Sequence, residues 1–321
     1  MMSSGNGKKP GSFAFGTAIF ALTDASFMLL RDLIAERTGM FFDDAKRSLL
    51  ADKLSELVSA NGLSSFLDYY YLLRYDDAAE QHWMALMDRL SVPETFFWRQ
   101  PEQFDALASI VVPAFMAAYP GRTIRIWSAA CCTGEEAVSI AIALDHGALL
   151  ETGHVEIHAT DGSSSMIERA KQATYGTRSF RQLPENLKAQ YFESSGADRW
   201  RPIERLMRHI SFGVANLARR ADIEPLARAD VIFCRNVFIY FADDAIRNVV
   251  RVFSERMPAD GCLFLGASES LTRLGVDLEL AEIGKAFAYV KEGRRQIVER
   301  RRSPATDTNT PVGHPTTKGF S

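Results

Sequence analysis

The segment that decides the fold is TIRIWSAACCTGEEAVSIAIAL, residues 123–144. Its apolar, β-branched beginning predicts a strand over residues 124–127. Small residues follow over 128–134, and we expect a helix to begin near Glu135. Small side chains let a ligand approach the backbone, and the free amides at a helix N-terminus favour an anionic group. Many strand-to-helix turns share this composition, so the turn alone identifies no ligand.

The same strand signal recurs further along the chain, with helical stretches between the strands. The apolar runs are VEIHATD (155–161), ADVIFCRN (229–236) and GCLFLGAS (261–268). Alternating strand and helix signals predict a parallel sheet with helices on both faces. Such sheets bind ligands at the carboxyl ends of their strands. The loops that follow these strands are therefore the expected place for chemistry.

Polar residues follow two of the predicted strands. Asp161 ends the second strand, where a carboxylate can accept hydrogen bonds from the two hydroxyls of a ribose. Capping of the next helix is an equally good interpretation of Asp161. Arg235 and Asn236 follow another strand, and either line the active edge or form a buried polar pair that holds neighbouring loops.

A third group of candidates precedes the sheet, in SVPETFFWRQPEQF (91–104). Glu94, Thr95 and Arg99 stand there among aromatic residues. Aromatic side chains beside an arginine suit a ligand that combines a flat ring with a charged group. The alternative is an interdomain linker whose aromatic residues only pack.

Missing motifs and bulk composition exclude several classes of function. G-x-G-x-x-G and GK[ST] are both absent, which argues against diphosphate binding and a nicotinamide oxidoreductase. The four cysteines form no CxxC pair and have no histidine at metal-ligand spacing, so we expect no metal and a reducing cytosol. A net charge of -3 and a pI near 6.1 favour neither nucleic acid nor an anionic membrane. No apolar run reaches the roughly 20 residues of a membrane span.

The domain organisation follows from changes of pattern. A flexible N-terminus (1–23) precedes a helical domain over 24–95, whose first helix we expect between an N-cap at Asp24 and a stop at Gly39. The α/β domain covers 96–291. Residues 191–215 interrupt its alternation and predict a short hairpin-like insert. Residues 292–321 are basic and then rich in Pro and Thr, which predicts a disordered tail.

Taken together and in order, these segments resemble the CheR family of chemotaxis receptor methyltransferases. The resemblance covers residues 24–290. Each motif alone is weak, but the ordered set is specific. The matching segments are ETFFWR (94–99), WSAACCTGEE (127–136), ATD (159–161), NL (216–217), IFCRNVFIYF (232–241) and LFLGASE (263–269).

The resemblance implies a class I S-adenosylmethionine-dependent methyltransferase domain with a Rossmann-like sheet, a small helical N-terminal domain and an inserted antiparallel β-subdomain. It implies S-adenosylmethionine as donor and S-adenosylhomocysteine as product. It also implies catalytic roles for Arg99, which would orient a carboxylate, and for Tyr240, near the reacting methyl group. The residues that match family cofactor contacts are Thr95, Arg99, Glu136, Asp161, Asn216, Leu217, Arg235 and Asn236.

The substrate implied by the resemblance is a glutamate side chain on the cytoplasmic helices of methyl-accepting chemotaxis receptors. A glutamate carboxylate, with a pKa of about 4.3, is ionised at neutral pH and needs no general base. The enzyme then has mainly to align the reacting atoms. Two alternatives stay open: a methyltransferase of the same fold in a non-flagellar chemosensory array, and a non-catalytic signalling protein that binds S-adenosylmethionine or S-adenosylhomocysteine.

Three features depart from the family pattern. Pro93 stands where the family often has Asn, and Ala267 stands where it often has His. The second helix keeps three basic residues but interleaves four acids, which weakens its charge complementarity with an acidic receptor. These are Lys46, Arg47 and Lys53, and Asp43, Asp44, Asp52 and Glu56. The insert looks shorter and poorer in glycine than in members that hold a receptor's C-terminal pentapeptide, so we expect no tight pentapeptide binding.

Overall fold

A computed structural model describes residues 20–291. The predicted tail (292–321), and the predicted flexible N-terminus apart from residues 20–23, lie outside the described residues. The helices are α1 Asp24–Thr38, α2 Arg47–Ala60, α3 Phe66–Tyr75, α4 Ala79–Leu90, α5 Pro101–Ala106, α6 Val112–Ala118, α7 Glu135–His146, α8 Ser164–Gln172, α9 Glu185–Tyr191, α10 Glu204–Met207, α11 Arg220–Ile223 and α12 Asp243–Arg256. The strands are β1 Ile124–Ala129, β2 Val155–Asp161, β3 Tyr175–Gly176, β4 Phe192–Gly196, β5 Arg199–Pro202, β6 Ile210–Val214, β7 Val231–Cys234, β8 Cys262–Phe264, β9 Leu278–Ile283 and β10 Ala286–Lys291.

Helices α1 to α4 form a small helical unit with its own core. Leu50, Leu54 and Val58 recur at spacings of four residues on α2, and all three are fully buried. They share one apolar cluster with Leu30 of α1 and Leu86 of α4. The helical periodicity of the sequence therefore places one face of α2 in this core and leaves the other face on the surface.

The ends of α1 correct one prediction and explain a glycine. The N-cap is Thr23 rather than Asp24, because the Thr23 side chain accepts a hydrogen bond from the backbone N–H of Ser26. Gly39 ends the helix with a left-handed φ of 76°. A β-carbon at Gly39 would lie 2.6 Å from the ring of Phe241. Glycine therefore lets the helical unit pack closely against the α/β domain.

The central sheet has seven strands in the order β6-β2-β1-β7-β8-β10-β9. Strand β1 is the third in this order and pairs in parallel with β2 and β7. Strands β6 and β8 extend the parallel part, as the alternation predicts. The last two strands, β10 and β9, form an antiparallel hairpin, and β10 also pairs antiparallel with β8. The sequence analysis did not predict this hairpin. The sheet is therefore mixed rather than wholly parallel.

Alternate residues of β1 face two helical layers. Ile124 and Ile126 point into the core beneath α5, α6 and α7. Trp127 points to the opposite face, where its ring meets Phe253 of α12 edge-on at 5.4 Å. Burial on both faces explains why this strand is a continuous apolar run.

A separate three-stranded antiparallel sheet, in the order β3-β5-β4, forms a β-subdomain between Tyr175 and Pro202. The predicted bounds of the insert, 191–215, are wrong at both ends. Strand β6 belongs to the central sheet, because Ile210–Val214 pairs in parallel with β2. As the edge strand it is only partly buried, so its sequence lacks the apolar run that marks the inner strands.

Candidate functional site

The carboxyl ends of β1, β2 and β7 open into a cavity of about 250 Å³. The helical unit closes its other side with residues of α1, α2 and α4. All nine residues predicted from the sequence line this one cavity, although they are spread over 146 positions of the chain from 95 to 240. They are Thr95, Arg99, Glu136, Asp161, Asn216, Leu217, Arg235, Asn236 and Tyr240.

The turn after β1 places backbone at the cavity wall. Ala130 and Cys132 adopt left-handed φ angles of 65° and 52°, which cost of order 1 kcal/mol or more for residues other than glycine. Tertiary hydrogen bonds hold the turn: the Cys131 N–H donates to the Thr160 carbonyl at 2.8 Å. The Cys132 N–H donates to Asp161 Oδ2 at 3.0 Å. The turn and the tip of β2 are thus fixed to each other.

Asp161 is a half-buried carboxylate at the tip of β2. Its Oδ1 accepts a hydrogen bond from the Ser163 N–H at 2.9 Å. The cap of α8 is Ser163, whose hydroxyl accepts from the Met166 N–H, so the helix-capping interpretation of Asp161 is wrong. Burial raises the pKa of Asp161, and the two backbone N–H bonds oppose that shift. Each carboxylate oxygen retains a further lone pair that can accept from a ligand hydroxyl.

Arg235 and Glu136 form a buried ion pair at the cavity wall. Arg235 Nη1 lies 3.4 Å from Glu136 Oε2, and the Arg235 side chain is 1% exposed. Burial raises the pKa of Glu136, and the charge of Arg235 opposes this. Within residues 20–291, Arg235 Nη1 has no hydrogen-bond partner. A buried donor without a partner is costly, so this atom suits an anionic group of a ligand.

The other donors of Arg235 reach the segment before α5. Nε and Nη2 donate to Gln100 Oε1 at 3.2 and 2.8 Å, and Nη2 also donates to the Arg99 carbonyl. Arg235 therefore lines the cavity and also holds a neighbouring loop, while its role toward a ligand stays a prediction. Sequence reasoning missed Gln100, because a single polar residue before Pro101 carries no pattern.

Asn216 and Leu217 follow β6 and form another wall. The Asn216 side-chain amide donates to the Arg37 carbonyl at 2.8 Å, and its Oδ1 accepts from the Ala218 N–H at 2.9 Å. Leu217 and Met166 supply apolar surface to the same cavity. This side of the cavity suits a flat apolar ring, and Asn216 also connects it to the helical unit.

Arg99 and Tyr240 both line the cavity. Arg99 belongs to the segment 94–99, and Tyr240 belongs to the turn after β7. Arg99 Nη1 donates to the Glu94 carbonyl at 3.0 Å, and its guanidinium lies 5.3 Å from the Phe96 ring. Burial raises the pKa of Tyr240, and the Arg99 charge acts in the opposite direction. The Tyr240 phenol is therefore protonated at neutral pH and can donate a hydrogen bond.

The helical unit is bonded directly to the loops of the site. The Phe41 N–H donates to the Tyr240 carbonyl at 2.9 Å. Asp88 of α4 accepts from the Ser163 hydroxyl at 2.6 Å and from the Ser165 N–H at 3.1 Å. Sequence reasoning missed Asp88 too, since nothing in α4 distinguishes it from a surface acid.

The cysteines and acids of the site show no arrangement for metal chemistry. Across residues 20–291, no three His, Cys, Asp or Glu side chains are grouped to hold a metal ion. Burial raises the pKa of Cys132 to about 12, so its thiol is protonated at neutral pH and is a poor nucleophile. In this part of the chain, no helix is long and apolar enough to cross a membrane.

The residues of the cavity fit S-adenosylmethionine. Arg235 Nη1, which has no hydrogen-bond partner among the described residues, suits its carboxylate, the half-buried Glu136 suits its ammonium group, and Asp161 suits its ribose diol. Leu217 and Met166 offer an apolar wall to its adenine. The turn after β1 lacks the glycine fingerprint of diphosphate-binding sheets. The fold and site define a class I S-adenosylmethionine-dependent methyltransferase.

Comparison with known proteins agrees with this class and narrows it. Residues 93–286 match the family model of the CheR methyltransferase SAM-binding domain, and residues 25–91 match that of the CheR methyltransferase all-alpha domain. The chain belongs to the CheR methyltransferase family. Its fold, its cofactor and its reaction class are therefore confirmed, while the individual roles of the nine cavity residues stay predictions.

Several curated relatives align over most of the chain. Chemotaxis protein methyltransferase 2 of Vibrio cholerae is 34% identical over 280 residues, which are 87% of this chain and 97% of the relative. The chemotaxis protein methyltransferase of Escherichia coli is 30% identical over 261 residues, 80% of this chain and 88% of the relative. WspC of Pseudomonas putida, a probable biofilm formation methyltransferase, is 31% identical over 259 residues, 80% of this chain and 60% of the relative.

Proposed function

We propose that this protein methylates glutamate side chains on the cytoplasmic helices of methyl-accepting chemotaxis receptors, and that it works in the cytoplasm. The products would be glutamyl methyl esters and S-adenosylhomocysteine. The observation that carries the proposal is the placement of Arg99 and Tyr240 in the same cavity as the predicted cofactor residues. The names of the chemotaxis relatives support the same substrate.

The cavity residues divide into a donor side and an acceptor side. Asp161, Glu136, Arg235 and Leu217 would hold S-adenosylmethionine, which supplies a methyl group already activated on a sulfonium. The remaining work is positioning, because proximity and alignment lower the barrier of a displacement between two bound groups. No residue of the chain has to become a covalent intermediate.

Arg99 and Tyr240 would position the acceptor. An ionised glutamate has four lone-pair sites, so it can accept from Arg99 and Tyr240 and still present one oxygen for attack. The Tyr240 phenol can act as a donor because its raised pKa keeps it protonated. The glutamate carries no proton at neutral pH, so the step requires no base.

The surface around the cavity supports docking of an acidic helix. Lys46, Leu49 and Lys53 of the α2 segment line the cavity beside Tyr240. Two of the interleaved acids are engaged within the helical unit: Asp43 accepts from the Lys46 N–H at 3.1 Å, and Glu56 pairs with Arg89 at 2.5 Å. The ion pair with Arg89 offsets the charge of Glu56, whereas Asp43 keeps its charge and Lys53 Nζ donates to the Arg89 carbonyl at 2.9 Å.

The decisive experiment incubates the protein with S-adenosylmethionine labelled in its methyl group and membranes that carry receptors from the same organism. We expect base-labile label on a receptor, as a methyl ester requires. The variants Arg99→Ala and Tyr240→Phe should each lose at least about tenfold in rate, the size of one charge-assisted hydrogen bond. Tyr75→Phe, at an exposed tyrosine of α3, is the matched control. Full activity in both site variants would overturn their assigned roles.

A second candidate is a receptor of another signalling array, such as one that governs biofilm formation. The similarity to the probable biofilm formation methyltransferase of Pseudomonas putida favours this second substrate. Membranes with only one class of receptor separate the two substrates. Absence of label with either class would favour a non-catalytic signalling protein. The prediction of no tight pentapeptide binding is checked by calorimetry with a receptor C-terminal peptide.

A further inference from the structure

The carboxylate of Glu269 accepts hydrogen bonds from the turn that carries Asn236 and Tyr240. Glu269 Oε2 accepts from the Asn236 N–H and from the Gly266 N–H, each at 2.7 Å. Its Oε1 accepts from the Phe238 N–H at 2.8 Å. One side chain thus satisfies three backbone donors and ties the loop after β7 to the loop after β8.

The geometry of the turn makes this support necessary. Asn236 has a left-handed φ of 58°, a conformation that persists only when the surroundings hold it. Asn236 and Tyr240 line the cavity, whereas Glu269 is absent from its lining among the described residues. The carboxylate therefore acts on the site from outside the cavity, through the backbone that it binds and through its charge, which also acts on Glu136, Arg235 and Tyr240.

Gly266 shows how closely the two loops approach. A β-carbon at Gly266 would lie 2.5 Å from Asn236 Nδ2 and 2.7 Å from Glu269 Oε2. A side chain at this position would therefore displace the Asn236 amide or the Glu269 carboxylate. The glycine and the carboxylate are thus two parts of one contact, and each can be altered separately.

We propose that Glu269 is a positioning residue for methyl transfer: its carboxylate fixes the 235–240 turn so that Asn236 meets the cofactor and Tyr240 meets the acceptor. The inference deepens the proposed function and rests on it for the acceptor side. Its cofactor side rests only on S-adenosylmethionine binding in the cavity. Replacing one carboxylate oxygen by an amide NH₂ would set a donor against an N–H donor and release the turn.

The test compares Glu269→Gln with the wild type and with Asp277→Asn, a control at an exposed acid that follows the same loop. Calorimetry with S-adenosylhomocysteine should show a Kd at least tenfold weaker in Glu269→Gln. In the receptor assay kcat should fall at least tenfold, while KM for the receptor stays within twofold. A merely structural role would instead lower the fraction of binding sites and leave Kd and kcat per site unchanged, which would overturn the proposal.

Gly266→Ala is the second variant, since it disturbs the same contact from the opposite loop and keeps the carboxylate. It should reproduce the weaker Kd and lower kcat even where Glu269→Gln does not fold. Wild-type constants within twofold in a folded Glu269→Gln or Gly266→Ala protein would contradict the inference. If the wild type labels no receptor but both variants still weaken S-adenosylhomocysteine binding, the proposed substrate fails and the positioning role stands.

Discussion

The central sheet has a cavity at each end, and the two differ in their chemistry. At the carboxyl end the wall contains Glu136, Asp161 and an Arg235 nitrogen without a hydrogen-bond partner among the described residues. At the amino end a cavity of about 200 Å³ is lined mostly by apolar side chains. Of its charged residues, Arg122 donates a hydrogen bond to Asp230, and Asp260 accepts one from the Tyr119 hydroxyl. The carboxyl end therefore keeps a hydrogen-bond donor available to a ligand, whereas the charged groups at the amino end bind other residues of the protein.

The two turns that flank β1 also differ, in which residues adopt a positive φ angle. The turn that enters the strand takes its positive φ at Gly121, where glycine has little strain. The turn that leaves the strand takes positive φ at Ala130 and Cys132. Strain held by residues other than glycine marks functional sites, because other contacts must maintain it. At β1, this strain therefore points to the same end of the sheet as the polar cavity wall does.

The largest expected effect is that of Arg235→Met. It leaves Glu136 buried without its counter-charge, so the unfolding free energy should fall by about 3 kcal/mol. The Kd for S-adenosylhomocysteine should rise at least about 100-fold, since a charged hydrogen bond to the ligand is lost in addition to the loop contacts. Urea unfolding and calorimetry measure the two quantities. Unchanged affinity in the folded variant would place the ligand elsewhere.

Asp161→Asn should have the next largest effect. The amide keeps one acceptor but loses the charge, and we expect a Kd for S-adenosylhomocysteine about tenfold weaker by calorimetry. A 2′-deoxy analogue of the ligand sharpens the test. It should bind the wild type more weakly than the parent ligand does, yet show little further loss in the variant. Equal losses in both proteins would separate Asp161 from the ribose.

Arg122→Met at the amino end is the counterpart of Arg235→Met. Methionine keeps apolar contact with Phe115 and Tyr119, whose ring centroids each lie 4.9 Å from the Arg122 guanidinium. The pair with Asp230 is lost, but Arg122 is 45% exposed and Asp230 still accepts from the Arg125 N–H at 2.9 Å, so the unfolding free energy should fall by only about 1 kcal/mol. S-adenosylhomocysteine should bind as to the wild type. A weaker Kd here would break the distinction between the two ends.

The smallest effect concerns pH and Glu135, a buried acid of α7. Its carboxylate accepts from the hydroxyls of Thr133 at 2.6 Å and Ser179 at 2.9 Å. Burial raises the pKa of Glu135 above its ordinary 4.5, and these hydrogen bonds only partly oppose the shift. Because the folded pKa is raised, the stabilising contribution is present below pH 4.5 and is lost as pH rises through the folded pKa.

Glu135→Gln removes that titration. Its unfolding free energy relative to the wild type should therefore increase between pH 5 and pH 8, by less than about 1 kcal/mol after solvent relaxation. Urea unfolding at the two pH values measures the difference. A variant that becomes relatively less stable at pH 8 would show that the charged form is favoured in the folded state.

The sequence predicted which residues lie at the carboxyl edge of the sheet because parallel strands deliver their next residues to one edge. Asp161 and Arg235 each follow an apolar strand, and such strands need only their own local pattern to be recognised. Resemblance to the family added Asn216 and Leu217, which follow a strand too exposed to stand out. Because β6 is exposed in this way, the sequence analysis assigned it wrongly to the insert.

The remaining parts of the site depend on contacts between distant residues. Gln100, Asp88 and Glu269 act by binding Arg235, the start of α8 and the 235–240 turn. Their positions carry no periodicity, and their partners lie 33 or more residues away. Only the assembled fold shows that these polar residues hold the walls of the cavity.

A crystal structure of the protein with S-adenosylhomocysteine tests the central claim most directly. We expect the ligand in the carboxyl-end cavity, with its ribose at Asp161 and its amino-acid end at Glu136 and Arg235. Ligand bound instead in the amino-end cavity beside Arg122 and Asp230, or no ligand in either cavity at saturating concentration, would contradict the assignment of the site.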